Sequence, residues 1–385
     1  MAGSRERRRP NGAAHWGQAK AGRTEPRMVV ETNAGLTDQL RREARLTVTR
    51  SRRSIDVVLG RKEPDVWLTP KDTIYSRGTM RLYRYRPMTE EVYRVPIIFV
   101  MSLISKPYIL DLVPGQSFVE YLLKQGFDVY MVDWGVPRPE DHVLRLEDYV
   151  LDRLPHCVEE VRRVTKETEH SMLGYCMGGI FGLMYGAAFP DDGLKNLVTV
   201  ATPVDFNGMG LLRHWADPRW FDVDRIVDAF GNIPPEAVML SLELLRPFDR
   251  LTSYIRLWDN LWDEEYVRNW RVRYRWVNDQ IPFPGECYRQ TTKELLWGNK
   301  LITGELMLGR RKIDLKNIRA SVLNAMAEHD HIAPYESTRS LVSLVGSCDK
   351  QEMLVKGGHV SLVSGKNAIL RLWPTINQWL APRSV

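Results

Sequence analysis

The stretch that most restricts the fold of this chain runs from His170 to Gly182. An apolar run that reads as a strand (Ser171-Met172-Leu173) meets the pattern G-x-C-x-G at Gly174, Cys176 and Gly178. A series of small and apolar residues (Gly182-Leu183-Met184-Tyr185-Gly186-Ala187-Ala188) then reads as a buried helix. A strand that turns into a helix within two residues holds the central residue in a strained backbone conformation. It also brings helix and strand too close for side chains at the flanking positions, which is why glycine stands on both sides. This is the strand, turn and helix of a nucleophile elbow, with cysteine where serine is more familiar.

The chain around it alternates strand and helix. Met80–Tyr85 alternates with period two and is predicted as an edge strand; Val95–Val100 is a continuous apolar run, expected of a buried central strand, and Gly126–Val132 reads as the next buried strand. Helices are predicted near Ser117–Gln125 and over Leu146–Thr168, a strand over Leu197–Ala201, and after a long interruption a strand (Val322–Ala327), a helix (Pro334–Val345), a strand (Glu352–Val355) and a last helix (Asn367–Leu380). The alternation predicts an α/β fold, a mostly parallel sheet with helices on both faces. The interruption, residues 203–317, holds seven of the twelve tryptophans (215, 220, 258, 262, 270, 276, 297) and reads as a helical cap over the carboxyl edge of the sheet. The expected organisation is a basic, disordered tail (1–30), an N-terminal helical segment (31–70), a core (71–202 and 318–385) and the cap (203–317).

Charge enters only to exclude partners. The formal net charge is +6, but residues 1–30 carry Arg5, Arg7, Arg8, Arg9, Lys20, Arg23 and Arg27 against Glu6 and Glu25, so the rest of the chain is nearly neutral and no nucleic-acid partner is expected. The tail lacks the apolar core of a signal peptide, and no segment approaches the roughly 20 apolar residues of a membrane span. Cys157, Cys176, Cys287 and Cys348 show no C-x-x-C spacing, so neither a zinc site nor a disulfide framework is expected, and a reducing cytoplasm is.

The strand ending at Ala327 delivers Asp330 and the next delivers His359. Cys176, Asp330 and His359 therefore follow the order nucleophile, acid, histidine of an α/β-hydrolase triad, each just past the carboxyl end of a strand. His359 would take the thiol proton, Asp330 would orient the imidazole, and the thiolate would attack a carbonyl. Backbone amides at Met177 and in the loop after Val100 are the candidates for an oxyanion hole. Asp133, also at a strand end, is a rival acid, though Trp134, Gly135 and Pro137 after it indicate a turn. His329 and His331 could share one face of a strand as metal ligands, but no third ligand stands at a matching spacing and no metal is expected.

From about Lys71 to Leu380 the chain resembles the polyhydroxyalkanoate synthases, most closely the short catalytic subunit of the two-subunit types (class III, then class IV). The likeness rests on Gly174-Tyr175-Cys176-Met177-Gly178-Gly179, Lys106 to Leu112, Val132-Asp133-Trp134-Gly135, Thr202 to Phe206, Trp215-Ala216-Asp217-Pro218, Asn278 to Gly285, Asp330-His331-Ile332 and Gly358-His359. Met101-Ser102-Leu103 departs from the Pro-rich turn of single-subunit members. The resemblance implies polymerisation of (R)-3-hydroxyacyl-CoA with release of CoA, the growing polyester held as a thioester on Cys176. It implies that Asp330 helps to activate the 3-hydroxyl of the incoming unit and that the Ile104 amide joins that of Met177 in the oxyanion hole. No cofactor is implied beyond the CoA thioester substrate. The implied partners are a second copy and a small second subunit, and the implied place is the surface of cytoplasmic polyester granules. A thioesterase or dienelactone-type hydrolase of the same fold is the enzymatic alternative, and a non-catalytic granule-binding homologue the other.

Overall fold

The computed structural model describes residues 38–39, 41–48 and 64–385. The chain divides into two units, residues 1–49 and 50–385. In the first, the described residues are helical and almost all exposed. The expected disorder of residues 1–30 and most of the expected helical segment 31–70 lie outside the described residues.

The second unit is built on an eight-stranded sheet. In chain order its strands are β1 (Lys71–Arg77), β2 (Met80–Tyr85), β3 (Ile97–Val100), β4 (Val129–Asp133), β5 (His170–Tyr175), β6 (Leu194–Val200), β9 (Ser321–Ala327) and β10 (Lys350–Val355); β7 (Leu306–Leu308) and β8 (Arg311–Ile313) form a separate hairpin. The spatial order is β1-β2-β4-β3-β5-β6-β9-β10, antiparallel at β1-β2 and β2-β4 and parallel from β4 onward. Every residue of β3 and β5 is buried, the physical reason for the unbroken apolar composition of β3; β5 buries His170 and Ser171 ahead of its apolar run. Alternate residues serve opposite faces: Ile98 and Val100 pack with the helices Leu154–Thr165 and Met177–Ala188, while Ile97 and Phe99 pack with Phe118–Lys124 and Trp373–Leu380. Each such side chain contributes roughly 1.5–3 kcal/mol on burial, so the two faces of these short strands carry much of the sheet's stability.

Two expectations are corrected. Met80–Tyr85 is not the edge: β1 lies outside it, a half-exposed strand whose register shifts between Thr73 and Tyr75, and whose polar residues mask it in the sequence. The helix expected over Pro334–Val345 is two short pieces, Tyr335–Thr338 and Leu341–Leu344. The carbonyls that would continue the first are claimed elsewhere, Ser337 O by the amides of Val204 (2.7 Å) and Asp205 (2.9 Å) and Thr338 O by Asn324 Nδ2 (2.9 Å). The last helix runs where expected, to Leu380, with a π-turn at Ala368–Leu372 just before Trp373–Leu380, where Pro374 cannot donate to the preceding turn.

Residues 203–317 contain helices Leu211–Trp215, Val223–Phe230, Pro235–Leu244, Asp249–Asp259, Glu264–Asn278 and Gly285–Gln290, then a π-turn, a short helix and the β7–β8 hairpin. The two ends of this stretch pack into the core: Val223, Val227, Leu295, Leu306 and Leu308 join the cluster around the elbow helix, and Arg311 Nη1 caps Ala188 O at 2.7 Å. The middle keeps a small cluster of its own, Leu257, Leu261, Val267 and Trp270. Among the described residues no helix is long and apolar enough to cross a membrane.

Candidate active site

β5 ends at Tyr175 and the helix Met177–Ala188 begins two residues later, with Cys176 between them at φ 55° and ψ −122°. A positive φ at a residue with a Cβ is strained, and the surroundings enforce it. Cys176 N donates to Val200 O at 2.9 Å, and Gly179 N to Cys176 O at 3.0 Å. A methyl on Gly174 would sit 2.4 Å from Gly179 Cα, and one on Gly178 only 1.9 Å from Val100 O. The elbow helix is thus pressed directly against the exit of β3, where the loop carrying Ile104 starts. Met177 stands first in its helix, so its amide is one of those a helix leaves without an intrahelical acceptor.

Asp330 and His359 arrive from the carboxyl ends of β9 and β10 and meet: His359 Nδ1 lies 2.7 Å from Asp330 Oδ2. The other carboxylate oxygen accepts the amides of Ile332 (2.9 Å) and Ala333 (2.8 Å). Asp330 is therefore fully engaged, and its side chain has no accessible surface, 0%. With Nδ1 taken by the acid, Nε2 is the nitrogen left for Cys176. Burial by itself pushes the His359 imidazolium toward neutrality. The Asp330 carboxylate, and Cys176 through both charge and a hydrogen bond, outweigh burial and raise the ring to about 10. The ring so held stands beside the half-buried sulfur of Cys176. Beneath the ring, Tyr175 packs at 5.1 Å between centroids and donates to His359 O at 3.4 Å.

Asp133, the rival acid, takes the turn role: its Oδ1 accepts from Gly135 N at 3.0 Å. His329 and His331 lie beyond the end of β9 rather than within it; His329 is exposed, and His331 faces the cavity, where burial first and then Arg246 hold it below the ordinary histidine value. Among the described residues no group of three His, Cys, Asp or Glu could hold a metal.

Cys176, His359, His331 and Ile104 open onto a cavity of about 430 Å³ whose facing wall comes from the middle of the 203–317 stretch, including Leu242, Trp270 and Trp276. These wall residues escaped site reasoning from the sequence. Their only local signal was the density of tryptophan, which does not say which of them turn inward: Trp270 and Trp276 are buried, whereas Trp220, Trp258 and Trp262 are exposed.

Two family models match, "alpha/beta hydrolase fold" over residues 109–366 and "Poly-beta-hydroxybutyrate polymerase (PhaC) N-terminus" over 22–122. Among curated proteins, the poly(3-hydroxyalkanoate) polymerase subunit PhaC of Allochromatium vinosum is 38% identical over 325 residues, covering 83% of this chain and 90% of its own. The chain belongs to the poly(3-hydroxyalkanoate) polymerase PhaC family. The PhaC of Haloferax mediterranei is 37% identical over 84% of this chain, which spans 66% of that longer protein. Among solved structures, a lipase candidate from Sulfolobus solfataricus aligns with a TM-score of 0.53 at 16% identity, over 81% of this chain and 93% of its own, a likeness of fold. The α/β-hydrolase fold and the family expected from the motifs are both borne out.

Proposed function

We propose that this chain polymerises (R)-3-hydroxyacyl-CoA, of short chain such as 3-hydroxybutyryl-CoA, releasing CoA and holding the acyl chain as a thioester on Cys176. The observation that carries the reading is the contact of Asp330 with His359 beside an elbow cysteine, at the floor of a cavity walled by the 203–317 stretch. The relatives named poly(3-hydroxyalkanoate) polymerase support the substrate class.

In this mechanism the Cys176 thiolate attacks the thioester carbonyl, and the amides of Met177 and Ile104 receive the developing oxyanion. The C–S bond to CoA then breaks, and CoA leaves with the proton held by His359. Exchange of one thioester for another is nearly neutral in free energy, so the enzyme-bound acyl group remains reactive. The 3-hydroxyl of an incoming 3-hydroxyacyl-CoA then attacks the acyl-cysteine carbonyl and gives its proton to His359; the C–S bond to Cys176 breaks as the oxygen ester forms, and the freed thiolate takes the lengthened chain back from its CoA by a second thioester exchange, CoA leaving with that proton. Asp330 has both oxygens bound and no exposed surface, which favours a role through the imidazole over direct contact with the hydroxyl. Water reaching the acyl-cysteine would make the enzyme a thioesterase, so the aromatic cover has a chemical task. The outer face of that cover exposes Leu240, Leu251, Ile255, Trp258 and Phe248, the last at 74%. An apolar face of this kind favours association with a second copy or a second subunit, and with the apolar surface of a polyester granule.

The test is incubation of the purified chain with 3-hydroxybutyryl-CoA. Free CoA together with insoluble polyester supports the reading; free CoA with only 3-hydroxybutyrate makes the protein a thioesterase.

A further inference from the structure

The loop that carries Ile104 has few holds of its own. Trp134 Nε1 donates to Met101 O at 2.8 Å, and the Ile104 amide itself reaches only Ser102 Oγ, at 3.4 Å, the weak end of the hydrogen-bond range. The remaining holds come from a segment about 170 residues away in sequence, the end of the helix Glu264–Asn278 and the turn after it. Trp276 Nε1 donates to Lys106 O at 2.8 Å. Ser105 and Gln280 form an isolated antiparallel bridge, and Ile281 N donates to Ile104 O at 3.4 Å. The Tyr108 hydroxyl donates to Asp279 Oδ2 at 3.0 Å. Gln280 Nε2 folds back onto Trp276 O at 2.6 Å and braces the turn.

We infer that Trp276–Ile281 is a strap that sets the position of the Ile104 amide, with Asp279 and Tyr108 as its positioning residues, so that the oxyanion hole is complete only while the last long helix of the cavity wall is docked. The inference rests on the reading that the Ile104 amide stabilises the tetrahedral intermediate. The carbonyls of Ile104 and Lys106 are both pinned by the strap, which fixes the Ile104–Ser105 and Lys106–Pro107 peptide planes and so limits how the adjoining Leu103–Ile104 plane, which carries the Ile104 amide, can turn. An oxyanion donor is useful only within about 2.7–3.1 Å of the developing charge, and a misplacement of about 1 Å costs on the order of 100-fold. The wall of the cavity and the chemistry at its floor are then one device: a wall displaced far enough to pass a polymer chain also switches off acyl transfer.

Tyr108→Phe and Asp279→Leu test this without touching the cavity, since neither side chain faces it, and each removes the Tyr108–Asp279 hydrogen bond at similar volume. Two reactions of Cys176 are compared in each variant. Acylation by 3-hydroxybutyryl-CoA passes through an oxyanion; alkylation by iodoacetamide, a displacement at saturated carbon, does not. The strap predicts that kcat for CoA release falls at least 10-fold in both variants, that KM stays within about 2-fold, and that the alkylation rate is unchanged. Equal losses in both reactions, or no loss in CoA release, overturn it. Failure of the proposed chemistry at Cys176 looks different: wild-type protein alkylated at Cys176 would then still release CoA.

Discussion

Replacing Asp330 by Asn tests the wiring of the site most sharply. The His359 ring is raised from 6.5 to about 10, with Asp330 the largest of the influences that oppose burial. A shift of that size corresponds to on the order of 5 kcal/mol in favour of the imidazolium. The introduced asparagine would still accept the amides of Ile332 and Ala333 through its carbonyl oxygen, because those donors lie 2.9 and 2.8 Å from Oδ1 of the native side chain. Its NH₂ group would then face His359 Nδ1, which must become an acceptor. The proton moves to Nε2, and the ring can no longer take one from the thiol. In a serine triad this tautomer error costs about 10⁴ in kcat; a thiol ionises more readily than a hydroxyl, so a loss on the order of 10³ is expected here. The assay is initial-rate CoA release from 3-hydroxybutyryl-CoA at pH 7.5, alongside thermal melts from pH 6 to 10. A histidine raised above its unfolded value contributes stability that is full below about 6.5 and is lost as pH rises through about 10. Wild type should therefore lose stability across that window more steeply than the variant does. Activity within 10-fold of wild type, or parallel stability curves, would refute the argument.

Three further outcomes follow from the same geometry. Asp133→Asn, which disturbs only a turn, should retain most activity and lower the melting temperature, and a larger activity loss than Asp330→Asn would put the acid on β4. Gly178→Ala drives a methyl into Val100 O, 1.9 Å from its ideal position; a cost of at least ~1–3 kcal/mol and a drop of several degrees in melting temperature are expected, with activity falling further because the oxyanion loop begins there. If the cavity wall must move to admit substrate, CoA release by the purified chain should show a lag that shortens with protein concentration or a primer, and amides of residues 235–278 should exchange faster than those of β6; immediate, concentration-independent activity with equal exchange would make the wall a rigid part of the core.

The elbow was legible because its demands are local: a positive φ at Cys176 and backbone contacts at Gly174 and Gly178 leave a mark within five residues. β3 was legible because burial on both faces leaves it wholly apolar and β4 because it is apolar up to Asp133, while β5, which holds His170 and Ser171, was legible from the elbow that follows it. Asp330 and His359 followed from strand order, since a parallel sheet returns the ends of β9 and β10 to one edge. The misses depend on distant partners. β1 is polar because it is an edge. The helix after Pro334 breaks because the Val204, Asp205 and Asn324 groups claim its carbonyls. The strap from Trp276 to Ile281 joins residues whose separation hides any pattern, although Asn278 to Gly285 had already stood out among the family motifs.

The central claim is that the polymer grows on one particular sulfur. Wild-type protein and Cys176→Ala are mixed with 3-hydroxybutyryl-CoA, quenched in acid within the first turnovers, digested and examined by mass spectrometry. Wild type should carry one or more 3-hydroxybutyryl units on the peptide containing Cys176, labile to hydroxylamine as a thioester is, and the Ala variant should carry none and release no CoA. Acyl units on Cys157, Cys287 or Cys348 with Cys176 unmodified, or CoA release that persists in Cys176→Ala, would contradict the account.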